Sequence, residues 1–251
     1  HPYHLAWEHY HKDEAYHNGT VWPWLDGIAM QRMIEGGQTE IAWRLFQRMN
    51  DLALRRGVVG GLPETMDAYP HPGEAEPRLT GTFLQAWSNA EQLRVWYQFF
   101  LGVRPDLAKG AVLLAPRLPA ALGAVDFTVR VGAAGTIRGI YGGAARARRY
   151  AYRLAGLSTA LTVDIPPFAV RRFAASAGDS LVVEVRGEEL RVRLVSSAGA
   201  VKQSAVLAPV PARVARQAML DAVFSGTAFA SPRPVESHPV MRQVARRESG
   251  R

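Results

Sequence analysis

No cysteine occurs among the 251 residues, which removes disulfides and thiolate metal sites and leaves redox compartment unreadable. No apolar run approaches the ~18 residues that a bilayer-spanning helix needs, so no transmembrane segment is expected. No secretory signal is evident in the first residues given, and the usual RNA- and DNA-binding signatures are missing throughout. The chain starts at His1 rather than Met, which suggests a piece of something longer or a processed chain. With 48% hydrophobic and 21% charged residues, what remains is the composition of a soluble globular protein large enough for two domains.

Basic residues are scarce in one part only. Counting Lys and Arg against Asp and Glu, residues 1–105 carry 9 and 12, whereas residues 106–251 carry 21 and 10. All six tryptophans (Trp7, Trp22, Trp24, Trp43, Trp87 and Trp96) lie in the first part. An acidic, indole-rich region suits a neutral polyol better than a polyanion. The Arg-rich remainder suits an anionic partner or a solvated sheet face, and alternating strand arginines are usually the latter.

Five of the seven histidines (His1, His4, His9, His11 and His17) fall in the first 17 residues, without the helical spacing or the cysteines of a zinc site, so no metal is expected. From Pro23 the period becomes helical: Leu25, Ile28, Ala29 and Met33 recur until Gly36-Gly37. Thr39 caps a second helix whose apolar stripe includes Ile41, Ala42, Phe46, Met49 and Ala53, and Gly57 ends it. Residues 57–80 read as one long irregular connection rich in glycine and proline, which in a compact domain is usually functional or disordered. A third helix is expected from about Gly81 to Gly102, apolar over much of its circumference and therefore covered on more than one side.

After Pro105 the period drops to two. Nine alternating segments between Ala111 and Leu207, with Gly187-Glu188-Glu189 as a hairpin turn, predict an antiparallel β-sandwich. An amphipathic helix follows Pro209, and residues 231–251 read as a poorly ordered Pro- and Arg-rich tail or a strap. The expected domains are therefore residues 1–106, 107–208 and 209–251.

Chemistry concentrates in two stretches. Tyr16-His17-Asn18-Gly19-Thr20-Val21-Trp22-Pro23-Trp24 offers flat apolar faces and fixed hydrogen-bonding groups, the mixture that sugar sites use. Gly60-Gly61-Leu62-Pro63-Glu64-Thr65-Met66-Asp67 offers a carboxylate on a glycine-rich loop, one half of the acid pair that glycoside hydrolysis requires. Asp67 reads as a residue that orients the loop, and Asp26 and Glu91 as surface or structural acids on helices. The plain alternative is that Trp22 and Trp24 start a core helix and Glu64 is a solvated loop acid.

Those two stretches, with Gln85-Ala86-Trp87-Ser88-Asn89-Ala90-Glu91, resemble in order and spacing the C-terminal part of glycogen debranching enzymes of the amylo-α-1,6-glucosidase type. Leu114-Ala115-Pro116-Arg117-Leu118-Pro119 and the β region resemble less specifically a domain appended in bacterial relatives. The resemblance implies an α+β multidomain chain, the last helices of an (α/α)6 toroid followed by the sandwich, from an inverting hydrolase of α-1,6-glucosidic branches. It implies Glu64 as general base and His17, Trp22, Trp24, Gln85 and Trp87 as pocket residues. It also places the general acid and most of the ring's helices upstream of His1.

The expected partners are accordingly an α-glucan oligosaccharide or polysaccharide and the missing N-terminal part of the same protein, with no cofactor, no nucleic acid and no membrane, in the cytoplasm. This chain alone is expected to be inactive. The competing expectations are a non-catalytic carbohydrate-binding or scaffold protein, and an anionic-polymer binder using Arg146, Arg148, Arg149, Arg171, Arg172, Arg191 and Arg193.

Overall fold

The computed structural model describes residues 15–17, 19–144 and 147–225. The N-terminal histidine group (His1 to His11), Asn18, Arg146 and the tail from 231 lie outside the described residues. Helices and mostly antiparallel sheets are both present, an α+β chain. Two compact units are formed. In its described part the first runs to Met30 and then takes in Arg44–Leu93 and residues 223–225; the second comprises Gln31–Trp43 and Arg94–Ala222.

In the first unit, residues 15–17 are helical and end in a turn where Gly19 N (2.8 Å) and the Thr20 hydroxyl (2.9 Å) both donate to the Ala15 carbonyl. Strand β1 (Thr20–Val21) follows, and helix α1 (Pro23–Glu35) opens on Pro23, where the missing N–H costs nothing. Helix α2 (Thr39–Arg55) buries Phe46, Met49 and Ala53 at steps of three and four, the expected stripe.

The long connection is more ordered than its composition predicts. Strand β2 (Thr65–Asp67) pairs with β1 on one side and with β3 (Leu79–Thr80) on the other in a three-stranded antiparallel sheet, β1-β2-β3. Two- and three-residue strands carry no readable alternation, and the register (Thr20↔Asp67, Thr65↔Thr80) rests on backbone bonds between distant segments.

Helix α3 (Ala86–Val95) starts five residues later than expected. Residues before it are committed elsewhere: Thr82 O accepts from Glu64 N (2.8 Å), Gln85 N donates to Leu62 O (2.9 Å), and Gly81 holds a left-handed φ of +69°. Phe83 and Leu84 just before it and Trp87 and Leu93 along it are all exposed rather than covered by described neighbours.

The second unit contains the end of α1, closed by Gly37 N to Ile34 O (3.1 Å) and Gln38 N to Met33 O (2.7 Å) with Gly37 at φ +80°. That bond pair is a Schellman stop, which needs glycine there. Trp43 meets the Phe100 ring edge-on at 5.6 Å. A π-helical turn, Trp96–Phe100, leads to Gly102, where a Cβ would lie 2.2 Å from the Ala115 carbonyl carbon.

The nine expected strands are all present: β5 (Ala111–Leu114), β6 (Val125–Val131), β7 (Gly135–Gly142), β8 (Arg149–Ala155), β9 (Thr159–Val163), β10 (Arg171–Ala175), β11 (Ser180–Arg186), β12 (Glu189–Val195) and β13 (Val201–Leu207). Strand β4 (Val103–Asp106) is an addition, because Pro105 inside it masks an edge strand. The six-stranded sheet, β13-β12-β11-β8-β7-β6, is antiparallel throughout. The four-stranded sheet, β10-β9-β5-β4, has one parallel pair, β5 with β9, which departs from the antiparallel expectation. The segment between those two strands carries β6 to β8, a connection long enough for a parallel return.

Leu190, Val192 and Leu194 on β12 are fully buried while Arg191 and Arg193 between them are exposed. Each such buried aliphatic stabilises the fold by about 1.5–3 kcal/mol. Residues from both sheets enter one cluster around Tyr141, Tyr152, Leu161 and Phe173. The Tyr141 hydroxyl donates to Leu101 O (2.6 Å) and meets the Tyr152 hydroxyl at 3.0 Å, so these buried polar atoms are satisfied. Helix α4 (Pro211–Ser225) follows as expected. Among the described residues no helix is long and apolar enough to cross a membrane.

Candidate functional site

The site lies in the first unit, where the turn after residue 17 brings an aromatic group beside the loop that precedes β2. Glu64 is half-buried there and is held at both carboxylate oxygens. Oε1 accepts from the Tyr16 hydroxyl at 2.5 Å, and Oε2 accepts from the Thr82 N–H at 3.1 Å. Charge-assisted bonds of this kind are the strong ones, and two of them fix the plane of the carboxylate. The bond to Glu64 in turn raises the pKa of the Tyr16 phenol, since the phenolic proton is held by an anion.

The loop carrying Glu64 is clamped from α3. Asn89 Oδ1 accepts from Leu62 N (2.7 Å), the buried Ser88 hydroxyl donates to Pro63 O (2.9 Å), and Gln85 N donates to Leu62 O. Gly81 makes close approach possible on the other side: a Cβ there would lie 2.6 Å from Glu64 Oε2 and 2.9 Å from Thr65 Oγ1. Asp67 behaves as expected of a loop-orienting acid. It is buried in β2, its Oδ2 lies 3.0 Å from His71 Nε2, and its N–H donates to Arg78 O.

Tyr16 connects Glu64 to the indole. Its ring meets Trp22 edge-on at 4.7 Å, its carbonyl accepts from Trp22 Nε1 (3.1 Å), and His17 stacks on Trp22 at 5.7 Å with 11° between planes. His17, Trp22 and Glu64 are thus gathered around Tyr16. Trp24 is half-buried on α1, Gln85 turns its side chain onto the N–H of Ala86 (3.1 Å), and Trp87 is exposed. No hydrogen bond or ring contact among the described residues joins those three to Glu64.

Four residues of this site escaped the sequence reading. Tyr16 stood in the quoted motif but its partner is 48 positions away, and Ser88 and Asn89 stood in the third motif, where a pocket wall was expected instead of a clamp. Thr82 acts through its backbone, which no residue type announces. Asp26 also differs from a plain surface acid: burial pushes its pKa up to about 6. A carboxyl with a folded-state pKa above its unfolded value binds more protons when folded, so stability falls as pH rises from about 4 to 6. Asp26→Asn is expected to remove that slope and to stabilise the chain at neutral pH by on the order of 2 kcal/mol, checked by urea denaturation at pH 4.5 and 7.5. An unchanged slope would show that Asp26 is solvated.

Among the described residues no group of three or more His, Asp or Glu converges as a metal site. A carboxylate fixed at two oxygens on a glycine-rich loop, beside a stacked imidazole and indole, has the parts of a carbohydrate-processing site. Residues 4–94 match the model of the amylo-alpha-1,6-glucosidase family, so this stretch is similar to the C-terminal portion of a glycogen debranching enzyme. The β region beyond lies outside the matched residues. No curated protein and no solved structure matches the chain.

Proposed function

We propose that the chain serves a parent enzyme that hydrolyses α-1,6-linked glucosyl branches of glycogen or a related α-glucan with inversion, and that Glu64 is its general base. The observation that carries this reading is the two-point hold on Glu64 by Tyr16 and Thr82 within the matched residues. In the reaction, water attacks the anomeric carbon and gives its proton to Glu64, the bond from that carbon to the leaving oxygen breaks, and an acid outside this chain protonates that oxygen. Inversion requires roughly 6.5–9.5 Å between the two carboxyl groups, room for the water. His17, Trp22, Trp24, Gln85 and Trp87 line the sugar pocket in this reading, with Trp22 as the nearest flat wall through Tyr16.

The helices α1 to α3 are then the last of an (α/α)6 toroid within residues 1–106. The exposed side chains Leu25, Ile28, Phe83, Leu84 and Trp87 support this, because a ring's other helices would cover them. Residues 107–208 form the sandwich, 209–251 the helix and tail, and the parent works in the cytoplasm. Without the ring and its acid, this chain alone is inactive.

The test is release of glucose from a branched limit dextrin by the complete enzyme and its Glu64→Gln variant. Glucan retention without glucose release by the unmodified enzyme would make the protein a carbohydrate binder instead. In the same assay Tyr16→Phe is expected to lower kcat/KM about 3–10-fold, the worth of a partly solvated bond to a charged group. A carboxylate that has lost a donor holds its proton more tightly, so the acid limb of the pH profile should move to higher pH. An unmoved limb would detach Tyr16 from the base.

A further inference from the structure

The second unit contains a cleft of about 1300 Å³ that the glycosidase reading does not use. Its lining is unbalanced in charge: five guanidinium groups, from Arg104, Arg117, Arg148, Arg213 and Arg216, against the carboxylates of Glu35, Asp164 and Glu188. Two of those carboxylates are already engaged. Asp164 accepts from Arg213, and Glu35 accepts from Arg32 at 2.9 Å while standing 4.0 Å from Arg104.

Arg117 therefore has to share Asp164, whose carboxylate is 3.9 Å away, and otherwise donates to the carbonyls of Pro116 (2.9 Å) and Asp164 (3.0 Å). Arg148 is more isolated still. It is 5% exposed, its Nη1 donates to the Leu122 carbonyl at 2.7 Å, and among the described residues no carboxylate lies within ion-pair distance of it. A buried cation without a counter-charge is costly, so buried charges are normally paired. Burial pulls the Arg117 pKa down to about 10; Asp164 opposes this, and the like charges of Arg104 and Arg213 add smaller downward contributions. The lining also includes apolar and aromatic side chains, among them Leu118, Tyr150, Ile165 and Phe168, beside the polar Thr39 and Gln217.

From this geometry we infer that the cleft is a binding site for a small organic phosphate, a phosphomonoester whose dianionic head lies among Arg104, Arg117 and Arg148 and whose body rests on the Tyr150 and Phe168 side. Guanidinium forks match phosphate oxygens two at a time, and a doubly charged head neutralises the surplus that the protein's own acids leave. The cleft is larger than a bare phosphate requires, which is why a body is included. This site is separate from the Glu64 reading and does not depend on it.

The experiment is calorimetric titration of the full chain with inorganic phosphate, a hexose monophosphate, a nucleoside monophosphate and, as the neutral control, glucose. Both esters or one of them should bind, more tightly than inorganic phosphate and more weakly as sodium chloride is added, while glucose gives no heat. Arg104→Gln and Arg117→Gln should each weaken ester binding at least about 10-fold, the effect of one charged hydrogen bond. Glu64→Gln should leave it unchanged, so loss of glucan cleavage and loss of phosphate binding are read apart. Arg148→Gln is the more direct variant, and circular dichroism will show whether that buried position still folds; the decisive variants are those at Arg104 and Arg117. Inorganic phosphate binding as tightly as the esters would restrict the site to free phosphate and overturn the organic ligand. No phosphate response above that of glucose, or full binding by both variants, would overturn the site.

Discussion

Glu64→Gln in the complete enzyme should lower glucose release from branch points by roughly 10²–10⁴-fold, the span of a lost general base, with little change in melting temperature. The small effect on folding follows from the geometry. Oε2 must accept from the Thr82 N–H, so the variant's carbonyl oxygen takes that side and its NH₂ faces the Tyr16 hydroxyl, which can turn and accept. Both bonds survive in form while the proton acceptor for water is lost. Unimpaired turnover would remove Glu64 from the chemistry. Loss of turnover together with a large fall in melting temperature would show a structural acid.

Gly81→Ala should be the most damaging single methyl near the site. Gly81 sits at φ +69°, where a side chain is strained whatever the space, and the new Cβ would collide with Glu64 Oε2 at 2.6 Å and Thr65 Oγ1 at 2.9 Å. Strain and displacement together are expected to cost about 2–4 kcal/mol, measured as a lower urea midpoint. Because Thr82 follows directly, its N–H should move off Glu64, and turnover should fall more than the substrate's KM rises. Equal stability and turnover in this variant would mean that the loop relaxes without moving the carboxylate.

How much of this was readable depends on the range over which each feature is encoded. The alternation of Leu190, Val192 and Leu194 with arginines writes its own burial pattern, and Pro23 and Gly36-Gly37 mark the ends of α1 by their backbone chemistry. Strands β1, β2 and β3 were not readable, because their pairing is specified by segments tens of residues apart and their flanking glycines and prolines signal a loop. Gly81, which reads as a helix start, is of the same kind: the residues that leave no room for a side chain there, Glu64 and Thr65, lie 17 and 16 positions away. At the site, Glu64, His17 and Trp22 stood out by type. Their organiser, Tyr16, did not, since a tyrosine in a motif of indoles looks like one more aromatic until its hydroxyl is seen on the carboxylate.

The paired phenols inside the β region offer an optical reporter. Burial holds the Tyr141 and Tyr152 hydroxyls well above the ordinary phenol range, with each also close to the other. In a stepwise alkaline titration, the absorbance of tyrosinate from these two rings would therefore arrive late and abruptly, at the moment water enters the interior. That lag would let a spectrophotometer follow the opening of the strands without any added dye.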